Sequence, residues 1–124
     1  MATTPTLNFI LFYVSNLEES LKYFTQTLGL EHDPKQDAPI FRGFAGGAGC
    51  GLAPAGVPLP WTAEIPQPGT IEVYFETENL EGLHTSLASK GVQVTEITHQ
   101  PFGSIFSIPA PDGQMVTLIR PPAR

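Results

Sequence analysis

Residues 7–14 read Leu-Asn-Phe-Ile-Leu-Phe-Tyr-Val, an apolar run interrupted only by Asn8. A run so rich in aromatic and branched side chains predicts a strand buried on both faces. Alternation puts Leu7, Phe9, Leu11 and Tyr13 on one face and Ile10, Phe12 and Val14 on the other. The pattern then changes period. Leu17, Leu21, Phe24 and Leu28 form a helical stripe, Asn16 stands at the N-cap with Glu19 three residues on, and Gly29 takes the C′ place where positive φ is wanted. The same succession returns later in the chain. Residues 71–77 predict a strand with Glu72, Tyr74 and Glu76 on one face and Ile71, Val73 and Phe75 on the other. Asn79 caps a second helix with Leu80, Leu83 and Leu87 as its stripe, and Gly91 ends it. Gly82 inside that helix costs about 1 kcal/mol relative to alanine, which predicts a weaker helix.

Both strand–helix stretches carry Asn-Leu-Glu at the same place, Asn16-Leu17-Glu18 and Asn79-Leu80-Glu81. An internal repeat governs the reading of the whole fold. We read a single α+β domain over 1–124, made of two copies of one module at about 5–54 and 70–121, with a site expected between them. Residues 30–69 are punctuated by proline and glycine, with short strands expected near Glu31–Asp33, Pro39–Phe44 and Gly49–Ala53. Residues 55–69 read as a Pro-rich linker. Trp61 lies within it, either pinned to the core or placed over a ligand or a second subunit. In the second module, strands are expected at Gln93–Thr98, Gly103–Ile108 and Gln114–Ile119. Asp112-Gly113 gives the hairpin signal before the last of these, and Pro121-Pro122 stop it.

Composition narrows the function. Of 124 residues 41% are hydrophobic, enough for a real core. The formal net charge of −6, with only six Lys and Arg, argues against nucleic acid as a partner and permits a cationic ligand. Cys50 is the only cysteine, which excludes an internal disulfide. Neither a signal peptide nor an apolar run of the roughly 20 residues needed to span a bilayer is evident. The expected location is cytoplasmic and no membrane partner is expected.

Two stretches carry a resemblance. Residues 14–30 fit V-x-N-L-E-x-S-x-x-x-F-x-x-x-L-G-L and residues 111–121 fit P-D-G-x-x-V-x-L-I-x-P. Together with the repeat, they resemble the vicinal oxygen chelate superfamily of glyoxalases, bleomycin-resistance proteins, extradiol dioxygenases and fosfomycin-resistance enzymes. The resemblance implies paired βαβββ modules whose mixed sheet curls into a cup, usually completed in a homodimer. It also implies a divalent metal held by His and Glu from the first strand of each module and from the last strand. Those positions fall here on Phe9, Glu72 and Thr117, and the last strand of the first module offers Cys50 or Leu52. A catalytic metal needs about three protein donors. Phenylalanine donates nothing and a neutral threonine hydroxyl is a poor ligand, so no metal and no other cofactor is expected.

His32, His84 and His99 form no pair at ligand spacing, and Cys50 has no histidine close in sequence to activate it. What remains is an aromatic cup. Parity directs Leu7, Phe9, Leu11, Tyr13, Tyr74, Met115 and Ile119 into it, with Phe41, Phe102 and Phe106 at the rim and Thr117 at the old ligand position. Trp61 is a further candidate. Glu72 is a carboxylate on an apolar face, so it needs a partner, a water or a proton. It could anchor a cationic ligand or act as a general base, or it could merely pair with Arg42 or Arg120. The combination is more similar to the bleomycin-resistance branch, which binds a basic, flat-ringed drug without a metal. The expectation is a homodimeric, metal-independent binder of an antibiotic-like or hydrophobic cationic small molecule. The alternative is a metal-dependent glyoxalase-type lyase or isomerase, or a dioxygenase, with an atypical ligand set.

Overall fold

The computed structural model describes residues 5–58, 65–110 and 115–122. Among these, the first half supplies β1 (Thr6–Val14), α1 (Leu17–Lys22), β2 (Arg42–Gly43) and β3 (Cys50–Pro54). The second half supplies β4 (Ile71–Glu76), α2 (Leu80–Ser89), β5 (Thr98–Gln100), β6 (Gly103–Pro109) and β7 (Met115–Arg120). The strands form one curled mixed sheet in the order β2-β3-β1-β4-β7-β6-β5. β1 and β4 lie antiparallel at its centre, while β3 runs parallel to β1 and β7 parallel to β4. The repeat seen in the sequence is therefore a two-fold relation across the β1–β4 seam. The strand expected at Glu31–Asp33 survives only as a bridge between His32 and Phe44, the counterpart of β5.

The sheet sorts its side chains by parity. One face carries Leu11, Tyr13, Ala53, Tyr74, Ile105 and Ile119 as a buried cluster. The other packs Phe106 and Leu118 against Leu80, Leu83 and Leu87 of α2. Under α1, the Phe24 ring lies 5.4 Å from Phe12 and 5.9 Å from Phe44. Both caps form as expected, with the Asn16 and Asn79 side chains accepting from the N–H of Glu19 and Gly82. Gly29 and Gly91 close the helices at φ +94° and +84°.

Three expectations need correction. The register passes from Leu7 beside Phe75 directly to Phe9 beside Tyr74, which leaves Asn8 as a bulge residue. One extra residue inverts the alternation upstream of it. Leu7 therefore points away from the cup and is 61% exposed. Secondly, α1 continues as a π turn over Tyr23–Thr27, in which the Leu28 N–H donates to the Tyr23 carbonyl. That extra residue per turn carries Leu28 off the stripe and into solvent. Thirdly, residues 93–97 do not join the sheet as a strand. Val94 and Ile97 instead pack as irregular chain beneath α2, tied by the Thr95 N–H to the Ser107 carbonyl at 3.0 Å. The expected Asp112-Gly113 hairpin and Trp61 lie outside the described residues.

Candidate functional site

The concave face of the sheet holds a cavity of about 600 Å³. β1 contributes Asn8, Phe9 and Leu11, β4 contributes Tyr74, and β3 and β7 supply Ala53 and Ile119. Two loops close the sides, one carrying Gln36, Ala38, Ile40 and Phe41 and the other Pro101 and Phe102. The wall is aromatic. Phe9 lies 6.1 Å from Tyr74, edge to face, and 6.0 Å from Phe41, tilted by 36°. Gly51 makes that packing possible. A Cβ at this position would stand 2.5 Å and 2.6 Å from Phe41 ring carbons and 2.9 Å from the Phe9 ring. No charged side chain lines the cavity among the described residues.

Beneath the wall lies a polar chain. Glu72 is 0% exposed, and its Oε1 accepts from the Tyr13 hydroxyl at 2.6 Å. Its Oε2 accepts from the Thr117 hydroxyl. Having given its one proton to Glu72, Thr117 Oγ1 must accept from Ser107 Oγ, 2.9 Å away. The chain links β1, β4, β7 and β6 below the cavity floor. Burial, and then the adjacent Glu72 carboxylate, push the Tyr13 phenol far above its ordinary range, and the same two causes act on Tyr74. The arginine partners open to Glu72 in the sequence are engaged elsewhere. Arg42 donates to Glu18 at 2.9 Å, and Arg120 donates to Glu81 through two nitrogens at 2.5 and 2.9 Å.

A divalent metal is what the resemblance implies at this place, and the donors do not fit it. Leu11 sits beside Gly51 and Tyr13 beside Ala53, so in β3 it is Gly51 and Ala53 that face the cup, not Cys50 or Leu52. On the cup face the ligand positions that the resemblance implies thus fall on Phe9, Gly51, Glu72 and Thr117. Two of them carry no donor atom. Both oxygens of the third accept from hydroxyls, and the fourth is a neutral alcohol spent on the third. The Phe9 and Phe41 rings fill the space over Gly51. Among the described residues no group of three His, Cys, Asp or Glu side chains converges.

The structure brings together Phe9, Leu11, Phe41, Tyr74 and Phe102 around one cavity. Tyr13, Glu72 and Thr117 lie on the same face but below the lining, and Met115 packs at the margin of that core. Phe106 is corrected. It pairs with Leu118 on the opposite face, under α2, where His84 meets it edge-on at 4.9 Å. Starting from Gly103, it is Ile105 that parity turns to the cup. Each histidine is held locally: His32 by Asp37 at 2.9 Å, His84 by the Thr95 carbonyl at 2.9 Å and His99 by Ser104 at 2.7 Å. Sequence reasoning missed Asn8 and Gln36. The signal for Asn8 was there, a lone amide in an apolar run, but its direction depended on the bulge.

The fold recurs in solved structures. Methylmalonyl-CoA epimerase from Mycobacterium tuberculosis superposes with a TM-score of 0.66 at 17% identity, over 99% of this chain and 94% of that one. A glyoxalase/bleomycin resistance protein/dioxygenase superfamily member from Vibrio splendidus 12B01 gives 0.64 at 15% identity, over 94% and 99%. An extradiol ring-cleaving dioxygenase from B. fuscum gives 0.69 at 13% identity, over 99% of this chain and 35% of that one. At these identities the likeness is one of fold. No curated protein matches the chain by sequence. The family model described as Glyoxalase/Bleomycin resistance protein/Dioxygenase superfamily matches residues 6–118, nearly the whole chain, and the protein belongs to that family.

Proposed function

We propose that this protein binds an apolar, ring-bearing small molecule of antibiotic-like character in the cup, without a metal. The observation that carries the reading is the wall itself. Phe9, Phe41, Tyr74 and Phe102 surround a cavity of about 600 Å³, a volume typical of small-molecule sites, and Phe9 occupies a position where the family places a ligating histidine. In this reading Glu72 does not touch the ligand. Buried and bonded on both oxygens, it holds Tyr13 and Thr117 in place and so fixes the floor on which the aromatic wall stands. The protein acts by sequestering its ligand, and the working unit is a homodimer, for which a light-scattering mass of one chain at micromolar concentration would count against the proposal.

The test uses metal-stripped protein and methyl 2-naphthoate, a flat neutral probe, followed by titration calorimetry. Saturable binding is expected. Phe9→Ala or Phe41→Ala should weaken it about tenfold, since one aromatic contact is worth roughly 0.5–1.5 kcal/mol beyond its burial. The contrary result is stoichiometric zinc, nickel or iron after reloading, with turnover of an oxygenated substrate that follows the metal.

A further inference from the structure

The bulge in β1 does more than expose Leu7. It brings two consecutive residues, Asn8 and Phe9, to the lining of the same cavity, which a regular strand cannot do. Bulges beside functional sites commonly re-aim a side chain in this way. Here the re-aimed group is an amide. Asn8 Nδ2 donates to Glu76 Oε1 at 2.8 Å. A carboxylate can only accept, so this contact fixes the orientation of the amide and leaves Asn8 Oδ1 as its outward atom. Among the described residues Oδ1 makes no hydrogen bond of its own. The second lining amide, Gln36, points the same way in its chemistry: its Nε2 donates to Asp33 Oδ2 at 2.9 Å and to the Phe44 carbonyl at 3.0 Å. Gln36 has therefore spent both amide N–H donors on the protein and Asn8 one of its two, and both keep acceptor oxygens.

No cation balances these acceptors. The lining has no Lys, Arg or His among the described residues, and the two arginines with described partners are bound to Glu18 and Glu81. An anionic ligand would enter an apolar cup without a counter-charge, whereas a donor would meet an acceptor backed by a carboxylate.

We infer that Asn8, backed by Glu76, is the polar end of the ligand site, and that the ligand presents a protonated amine there while its apolar body lies among Phe9, Phe41 and Tyr74. The inference rests on the proposed binding role of the cup and names its ligand class. It also moves the acidic anchor from Glu72, at the buried floor, to Glu76 at the rim.

Three matched probes test it by titration calorimetry at low salt: 2-naphthylmethylamine as the cation, 2-naphthoate as the anion and methyl 2-naphthoate as the neutral body. The amine should bind about tenfold or more tighter than the ester, as expected of a charge-assisted hydrogen bond, and the carboxylate weaker than both. Glu76→Gln keeps the contact to Asn8 and removes its charge, and should cut the amine-to-ester ratio to about threefold or less. Asn8→Leu should abolish the preference. Ester binding with no preference for the amine, or a preference that Glu76→Gln leaves intact, overturns the assignment of Asn8 and spares the cup. Binding of none of the three overturns both.

Discussion

Removing one oxygen atom from the buried chain tests whether Glu72 is a structural keystone. Tyr13→Phe deletes the hydroxyl that donates to Glu72 Oε1 at 2.6 Å and changes nothing else in the outline of a ring that is 1% exposed. Glu72 is 0% exposed and keeps the Thr117 hydroxyl on its other oxygen, with the Tyr74 phenol beside it, so the oxygen that loses Tyr13 is left in a site closed to solvent. A hydrogen bond to a charged group contributes about 1.5–3 kcal/mol, and leaving a buried acceptor unmet puts the cost of deletion toward the top of that range, so a loss of about 2–3 kcal/mol is expected. For a chain of this length, that lowers Tm by roughly 6–15 °C. Urea unfolding should show a lower midpoint with an unchanged slope. The pair Tyr13→Phe and Glu72→Leu completes the argument. With the carboxylate replaced by an apolar group, deleting the hydroxyl should cost little, giving a coupling of about 1 kcal/mol or more. Strict additivity, or a loss below about 0.5 kcal/mol for Tyr13→Phe alone, would refute the keystone role.

Other perturbations report on the neighbouring parts. Gly51→Ala forces a methyl within 2.5 Å of the Phe41 ring, so about 1–3 kcal/mol of overpacking should outweigh the roughly 0.5–1 kcal/mol gained from a stiffer chain. A variant more stable than the parent in urea would count against the wall as described. Burial and Glu72 raise the Tyr13 and Tyr74 phenols in the folded state, so above pH 10 only the unfolded chain loses these protons. Their contribution, complete below pH 10, should fall away as pH rises further, and Tyr13→Phe should flatten that decline in a thermal-melt series. At the acid end the sign reverses. Arg120 holds Glu81 down to about 2, so its contribution is present above its ordinary value of 4.5 and is lost as pH falls from there toward 2. The pair is exposed, so the effect should be small and shrink further in salt, and it should vanish in Glu81→Gln.

How much of this was readable from the chain follows from the range of the forces involved. Caps, glycine stops and apolar period are local, and the sequence alone determined both strand–helix stretches, their relation as a repeat, and the family they resemble. It also determined that Phe9 and Thr117 could not serve as ordinary metal donors, because donor chemistry belongs to the residue type. Whatever depended on counting along a strand held only until the count broke. One unpaired residue at Asn8 reversed Leu7, and in β6, which starts at Gly103 as expected, the pairing turned Ile105 to the cup and Phe106 to the helix face. The partner of Glu72 was a tertiary matter entirely. Tyr13, Thr117 and Ser107 come from three other strands, brought beside it by pairing across the sheet. The same pairing chose Gly51 over Cys50 and Leu52 and left room there for two rings. Local chemistry named the residues, and the register of the sheet decided which way each of them faces, because a side chain's direction in a strand is set by its partners across the ladder.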